Sequence, residues 1–411
     1  MTQAHEIPPE LSKKLARVKE LASYCYGCGK CLVVCPTNLL GVFSPKDFIH
    51  GLVTHGMDNL DTFTQEANLF NCLTCEQCAV YCPMASEEEG EGVLIAEIVQ
   101  ALREYGYQKD LLAGELDKNA THDGIMQIFP KIQSDSDLKT NNIDFIKNDP
   151  SLKIAESGEV GYFIGCTSLL DDIFYQFRSQ YKNTPRGVIS ILNEGGITPV
   201  VLETKCCGHD NYWVGDIETA RKLAKFNVEA FKKAGVKTVV VECAEGYRMW
   251  KYDYPKLVDN CDFEVKHFTE YLIEQDFLHL LGPRFPVNAK VTYHDPCRLG
   301  RLGGKIYDAP RKVLKSIPGI ELVEMKANRD DSNCCGVSTF RSCNSNTKVL
   351  RENRINEAVE TEAEYLITTC PKCITHFNCF QNETDDEGNE KPENIKVMDL
   401  AAFIAKFTQK I

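Results

Sequence analysis

Two short runs constrain this chain more than anything else in it. CYGCGKCLVVCP places Cys25, Cys28, Cys31 and Cys35 ahead of Pro36, and CLTCEQCAVYCP places Cys72, Cys75, Cys78 and Cys82 ahead of Pro83. They belong to a total of 20 cysteines in 411 residues. A secreted disulfide scaffold carries a higher density on a much shorter chain. The opening residues, MTQAHEIPPELSKK, are polar and lack the apolar stretch of a secretory signal. No stretch reaches the roughly 18 apolar residues of a membrane span. The chain is therefore expected in the cytoplasm, with reduced thiols available to metal. Its net charge, 46 − 59 = −13, argues against nucleic acid as the main partner.

Both runs read C-x-x-C-x-x-C-x-x-x-C-P, the spacing of a two-[4Fe–4S] ferredoxin. Three thiolates two residues apart wrap a loop around three corners of a cube, and the fourth cysteine faces the partner cluster. The expected pairing is crossed: Cys25, Cys28, Cys31 with Cys82, and Cys72, Cys75, Cys78 with Cys35. Zinc explains paired C-x-x-C motifs, but not a third cysteine two residues on followed by C-P. The stretches around the runs have apolar residues at helical spacing. In PPELSKKLARVKELASY, for example, Leu11, Leu15, Val18, Leu21 and Ala22 share a face. SPKDFIHGLVTHG, LDTFTQEANLF and GVLIAEIVQALREYG read likewise, so an α-helical ferredoxin domain is predicted over 1–105.

The rest of the chain repeats itself. FIGCT (Cys166), KCCGHD (Cys206, Cys207) and VVVECAEG (Cys243) are followed by YHDPC (Cys297), NCCGVS (Cys334, Cys335) and LITTCPKC (Cys370, Cys373). The gaps before the adjacent pair are 39 and 36 residues, and those after it 35 and 34. FNVEAFKKAGVKTVVVECAEG aligns with NRINEAVETEAEYLITTCPKC at a constant offset of 127. Duplicated α/β domains with parallel strands are predicted, over 158–285 and 286–411, after a linker with short helices over 106–157. The cysteines follow the expected strands VGYFIGC, VVLETKCC, TVVVEC, KVTYHDPC and EYLITTC. Strand carboxyl ends are where open α/β sheets bind ligands.

This half resembles the cysteine-rich CCG domain of the heterodisulfide reductase family, and the whole plan resembles that family's D subunit and related iron–sulfur subunits. The fold class is thus multidomain, a helical ferredoxin followed by two α/β CCG domains. The resemblance implies a noncubane [4Fe–4S] cluster on Cys297, Cys334, Cys335, Cys370 and Cys373, although the last gap is one residue short of the family spacing. It implies a corresponding site at Cys166, Cys206, Cys207 and Cys243, where Gly246 replaces the fifth cysteine. A further cluster there and a metal-free remnant both remain open. Cys261, Cys343 and Cys379 answer to no motif, and buried free cysteine is a common small hydrophobe.

Of three histidines near these cysteines, His209 and His376 are the preferred catalytic candidates and His294 the lesser one; packing or capping is the plain alternative for each. Arg298, Arg301 and Lys372 place positive charge beside the thiols or simply sit at the surface. No G-x-G-x-x-G frame marks a nucleotide site, and 381–394 reads as an acidic, solvated loop.

The expected activity is electron relay through two cubane clusters to a noncubane site that reduces or forms a disulfide-type substrate. The alternatives are a pure electron-transfer subunit of a glycolate- or lactate-oxidase-type complex and a zinc-stabilised structural protein. Expected partners are a membrane cytochrome b-type subunit, which would bring the chain to the inner membrane face, or a soluble flavoprotein, together with a disulfide or thiol substrate.

Overall fold

The amphipathic stretch ahead of the first cysteine run folds as a helix, Pro9–Ser23, with Pro9 at its first turn, where a missing N–H costs nothing. The face predicted from spacing, Leu11, Leu15, Val18, Leu21 and Ala22, is the buried one. It packs on helix Ile95–Gln108. Between them lie helices Pro45–Gly51 and Leu60–Glu66, as the linker between the two runs predicted, and a two-stranded antiparallel ribbon, β1 (Ala85–Ser86) with β2 (Glu91–Gly92).

The computed structural model describes residues 7–86, 91–118, 120–135, 137–177, 179–282, 288–339, 341, 343–383 and 395–408. Most of the acidic loop, 384–394, lies outside them. The chain divides into two compact units. One holds Met1–Lys131 with His209–Ala220 and Gly336–Leu350; the other holds Ile132–Gly208, Arg221–Cys335 and Arg351–Ile411. In each copy the division falls around the glycine that follows the adjacent cysteines: after Gly208 in the first, before Gly336 in the second.

The second unit carries two parallel sheets. The first has the order β3 (Val160–Tyr162), β4 (Thr238–Val241), β5 (Glu264–His267). The second has β7 (Ile320–Leu322), β6 (Ala289–Tyr293), β8 (Tyr365–Thr368), β9 (Lys396–Asp399). β4 and β8 stand at the predicted offset of 127. The strand expected over VVLETKCC does not form. Val200 alone bridges Gly161 and Ala155, occupying the place that β7 holds in the other copy. Beyond it, side chains take the backbone groups a ladder would use: Asn142 donates to Thr204 O, and Asn227 accepts from Lys205 N. This competition between side chains and ladder ends the strand before the cysteines.

The copies share one core, which runs from Tyr162 and Val240 through Val291 and Ile367 to Phe403. They also exchange helices reciprocally. Helix Asn183–Glu194 of the first copy packs on Leu400–Thr408 of the second, while Phe268–Glu274 of the first packs on Asp308–Ser316 of the second. Gly187 makes the first pairing close: a Cβ there would stand 2.2 Å from Ala401 O.

Candidate metal and redox site

The two N-terminal loops share one backbone course built from different residues. Gly27 and Gly29 flank Cys28 with φ +78° each, a conformation glycine adopts freely. At the matching positions around Cys75 stand Thr74 (φ 46°) and Glu76 (φ 61°), where a side chain is strained. The second loop holds its shape through added contacts. Thr74 Oγ1 lies 3.1 Å from Ser338 Oγ, and Glu76 Oε2 accepts from Ala96 N at 2.9 Å.

Thiols of the two loops stand together, Cys82 near Cys25, Cys28 and Cys31, and Cys35 near Cys72 and Cys75. Burial pushes Cys31 up to about 11, with Cys25, Cys82 and Cys28 bearing on it as like charges. Burial pushes Cys72 up to about 12, with Cys35 and Cys75 adding to the effect and Arg103 opposing it. One cavity is lined by Cys25, Cys28, Cys31, Cys78 and Cys82, another by Cys35, Cys72, Cys75 and Cys78. Four or more soft donors around each cavity suit a [4Fe–4S] cube. Arg103, which carried no sequence signal, is fully buried beside the second group and donates to Cys72 O and Leu69 O, each at 2.8 Å.

In the second copy, Cys297 follows β6, Cys370 follows β8 as the N-cap of helix Pro371–Gln381, and Cys373 lies in that helix's first turn. Cys334 and Cys335 meet them from an irregular segment. Cys373 Sγ donates to Cys335 Sγ at 3.4 Å. Hydrogen bonds from Cys334 and Cys373 hold the Cys335 thiol well below its ordinary range, and the same contact pushes Cys373 up. Cys370 and Cys297 also act on Cys335, so all five predicted cysteines converge. Arg298 Nη1 stands 4.0 Å from Cys297 Sγ. Arg301 is instead tied to the carbonyls of Asp330 and Ser332.

In the first copy, the hydrogen bond with Cys206 and burial push Cys207 up, with Cys166 and Cys243 adding as like charges; the four cysteines thus form one group. Gly246 N–H faces Cys243 Sγ at 3.5 Å, on the position that Cys373 occupies in the other copy. The two groups adjoin. Ala244 N donates to Thr369 O at 2.9 Å, and burial and then Cys370 push the Cys243 thiol up. Glu245 and Lys372, equivalent residues of the two motifs, form an ion pair of 2.7 Å with little solvent access.

The histidines fall out differently. His376 lies in the second-copy group, its Nδ1 3.2 Å from Cys335 O. His209 opens helix His209–Val214 in the ferredoxin-bearing unit, its Nδ1 3.2 Å from Asp210 Oδ1. His294, ranked below both from sequence, has a ring nitrogen within 4.8 Å of the Cys335 and Cys373 sulfurs. Its place in YHDPC at the end of β6 was the available signal. Glu242, next to Cys243, was missed; burial and the neighbouring Asp399 keep its carboxyl far above the usual range. Cys261 is half-buried, with its thiol pushed up to about 11 by burial; Cys379 is half-buried and Cys343 exposed.

Residues 160–249 and 291–378 each match the cysteine-rich domain model called CCG, and 24–86 match the 4Fe-4S dicluster domain. The chain is 31% identical over 403 residues to the D subunit of dihydromethanophenazine:CoB–CoM heterodisulfide reductase from Methanosarcina mazei, covering 90% of this chain and 92% of that one. To the protein of the same name from Methanosarcina barkeri it is 30% identical over 412 residues, 93% of each chain. To the EtfAB:quinone oxidoreductase of Syntrophomonas wolfei it is 28% identical over 356 residues, 82% of this chain and 46% of that protein.

Proposed function

Because the chain belongs to the family of heterodisulfide reductase D subunits, and is therefore an iron–sulfur electron-transfer subunit, we propose that it passes electrons from a partner through two cubane clusters to a noncubane cluster where a disulfide-type substrate is reduced or formed. Cys25, Cys28, Cys31 and Cys82 hold one cube; Cys72, Cys75, Cys78 and Cys35 hold the other. Cys297, Cys334, Cys335, Cys370 and Cys373 hold the noncubane cluster. When bound, these groups supply single electrons and an iron able to act as a Lewis acid. The overall change is a disulfide plus two electrons and two protons giving two thiols, and it runs in either direction.

The observation that carries this reading is the convergence of five cysteines, with hydrogen bonds from two neighbouring thiols lowering the Cys335 thiol towards the thiolate form. A thiolate is the form that binds metal. The chain's own residues supply the rest of the environment. Arg298 offsets charge at Cys297. The Glu245–Lys372 pair joins the two cysteine groups, so the first-copy group stands beside the place of reaction.

Among the described residues no helix is long and apolar enough to cross a membrane. Electron exchange with a quinone-type pool therefore goes through a partner, either a cytochrome b-type membrane protein or a flavoprotein. The names of the Methanosarcina and Syntrophomonas relatives, which mention dihydromethanophenazine and a quinone, support such coupling. We place the chain in the cytoplasm, at the membrane face when such a partner holds it there.

Gly246 favours a second reading, pure electron transfer, because the first copy lacks one thiolate of the family set. Iron and sulfide analysis of anaerobically purified protein should give about 12 irons per chain, three [4Fe–4S] groups; about 16 adds the first copy. Zinc in place of iron rejects the scheme. Chemically reduced protein, offered disulfides with its partner complex present, should release thiols. Fast electron exchange with no thiol release selects the second reading.

A further inference from the structure

His294 and His376 approach the same five cysteines, yet their hydrogen bonds give them opposite tautomers. Cys335 O can only accept, so His376 Nδ1, 3.2 Å away, carries a proton and spends it on that carbonyl. Arg354 can only donate, and its Nε lies 3.0 Å from His294 Nδ1. That nitrogen is therefore the acceptor, and the N–H of the neutral ring is on Nε2. The orientation is held from several sides. Arg354 is fully buried and fixed by Ala327 O at 2.8 Å, by Glu357 at 2.6 Å and by Ser332 Oγ at 3.1 Å. The His294 ring meets Phe377 edge-on at 5.1 Å, and its backbone N–H continues the sheet to Ile367 O at 2.8 Å.

A ring nitrogen of His294 reaches within 4.8 Å of both Cys335 Sγ and Cys373 Sγ. Judged by distance alone, the histidine resembles a metal ligand. The arginine argues otherwise: with Nδ1 engaged by Arg354 Nε, the nitrogen left for the sulfurs is Nε2, which bears the proton and offers no free lone pair to a metal. We infer that His294 is a hydrogen-bond donor to the Cys335–Cys373 sulfurs, set in that tautomer by Arg354, and that it raises the reduction potential of the noncubane cluster. Hydrogen bonds to cluster sulfurs stabilise the more negative, reduced state, and such outer partners are a main control of potential. The inference rests on the cluster assignment proposed above. It adds a positioning chain, Glu357–Arg354–His294, on one side of that cluster.

The test is a redox titration of anaerobic holoprotein followed by electron paramagnetic resonance, with the two cubane signals as an internal control for folding. His294→Leu should make reduction of the second-copy cluster about tenfold less favourable, a shift of about 59 mV to lower potential for one electron, with iron content unchanged. His294→Gln, which keeps an N–H donor, should recover most of the shift. An unchanged potential in His294→Leu overturns the inference. So does loss of about four irons with the cubane signals intact, which would make His294 a ligand. Wild-type protein with no second-copy cluster signal would instead overturn the cluster assignment itself.

Discussion

The two cysteine-rich copies share strands, offsets and a core, but differ where the chemistry lies. At the end of the equivalent strands β4 and β8, the first copy reads Cys243-Ala-Glu-Gly246 and the second Cys370-Pro-Lys-Cys373. Identical residues at these equivalent, adjoining positions would bring like charges together, and like charges buried together repel. Divergence placed Glu245 opposite Lys372 instead. The same step that made the copies unequal in ligands thus made them complementary in charge. A duplicated fold keeps its scaffold by symmetry and gains function where the symmetry is broken.

The largest expected effect comes from breaking that complementarity. Lys372→Met leaves Glu245 in a nearly dry site without its cation, and should cost about 3–5 kcal/mol of stability in chemical denaturation. Adding Glu245→Gln should restore most of the loss; if the double variant is no more stable than the single one, the pair is not what joins the copies.

A smaller effect tests the two equivalent helix caps. His267 caps Phe268–Glu274, and burial lowers its pKa to about 4. The folded state needs it neutral. Its contribution is therefore intact above the unfolded value near 6.5 and is lost as pH falls towards 4, to the extent of about 3 kcal/mol. His267→Asn should flatten the stability profile in that window. Asp399 is the counterpart cap, accepting from Ala401 N and Ala402 N, and burial raises its pKa. Its contribution has the opposite sign and is lost as pH rises, so Asp399→Asn should remove a fall in stability with rising pH and leave the net rise steeper.

The smallest expected effect is at Gly246. A Cβ there would meet Val241 Cγ1 at 3.1 Å and Cys243 Cβ at 3.6 Å, a tight but yielding fit. Steric cost of about 1 kcal/mol is offset by a helix-propensity gain of similar size over glycine. Gly246→Cys should thus change stability by less than about 1 kcal/mol, while completing the first-copy set. Its informative readout is spectroscopic: a new or altered cluster signal from that copy. No change in any signal would mean that a thiol at position 246 joins no cluster in the first copy.

Much of this was legible in the sequence, because thiol spacing and strand periodicity are local properties. The helix face from Leu11 to Ala22 and the offset that relates β4 to β8 both follow from positions along the chain. What was not legible depends on partners distant in sequence. The segment before Cys206 has strand composition, yet Asn142 and Asn227 take its backbone groups. His294 looked weaker than His209 until Arg354, sixty residues on, fixed its ring. Arg103 and Glu242 belong to no motif; Arg103 acts through its bonds to the Cys72 and Leu69 carbonyls, and Glu242 through burial beside Asp399.

The reciprocal helix exchange has a consequence for how such a chain can be divided. Helix Leu400–Thr408 completes its packing on Asn183–Glu194 through the notch at Gly187, while Phe268–Glu274 leans on Asp308–Ser316. A gene fragment that encodes one repeat would expose an apolar helix face with no partner to cover it. The halves are therefore inseparable as folding units although they are separable as ancestry. Recombination that inserts, swaps or excises one of them must move the other with it.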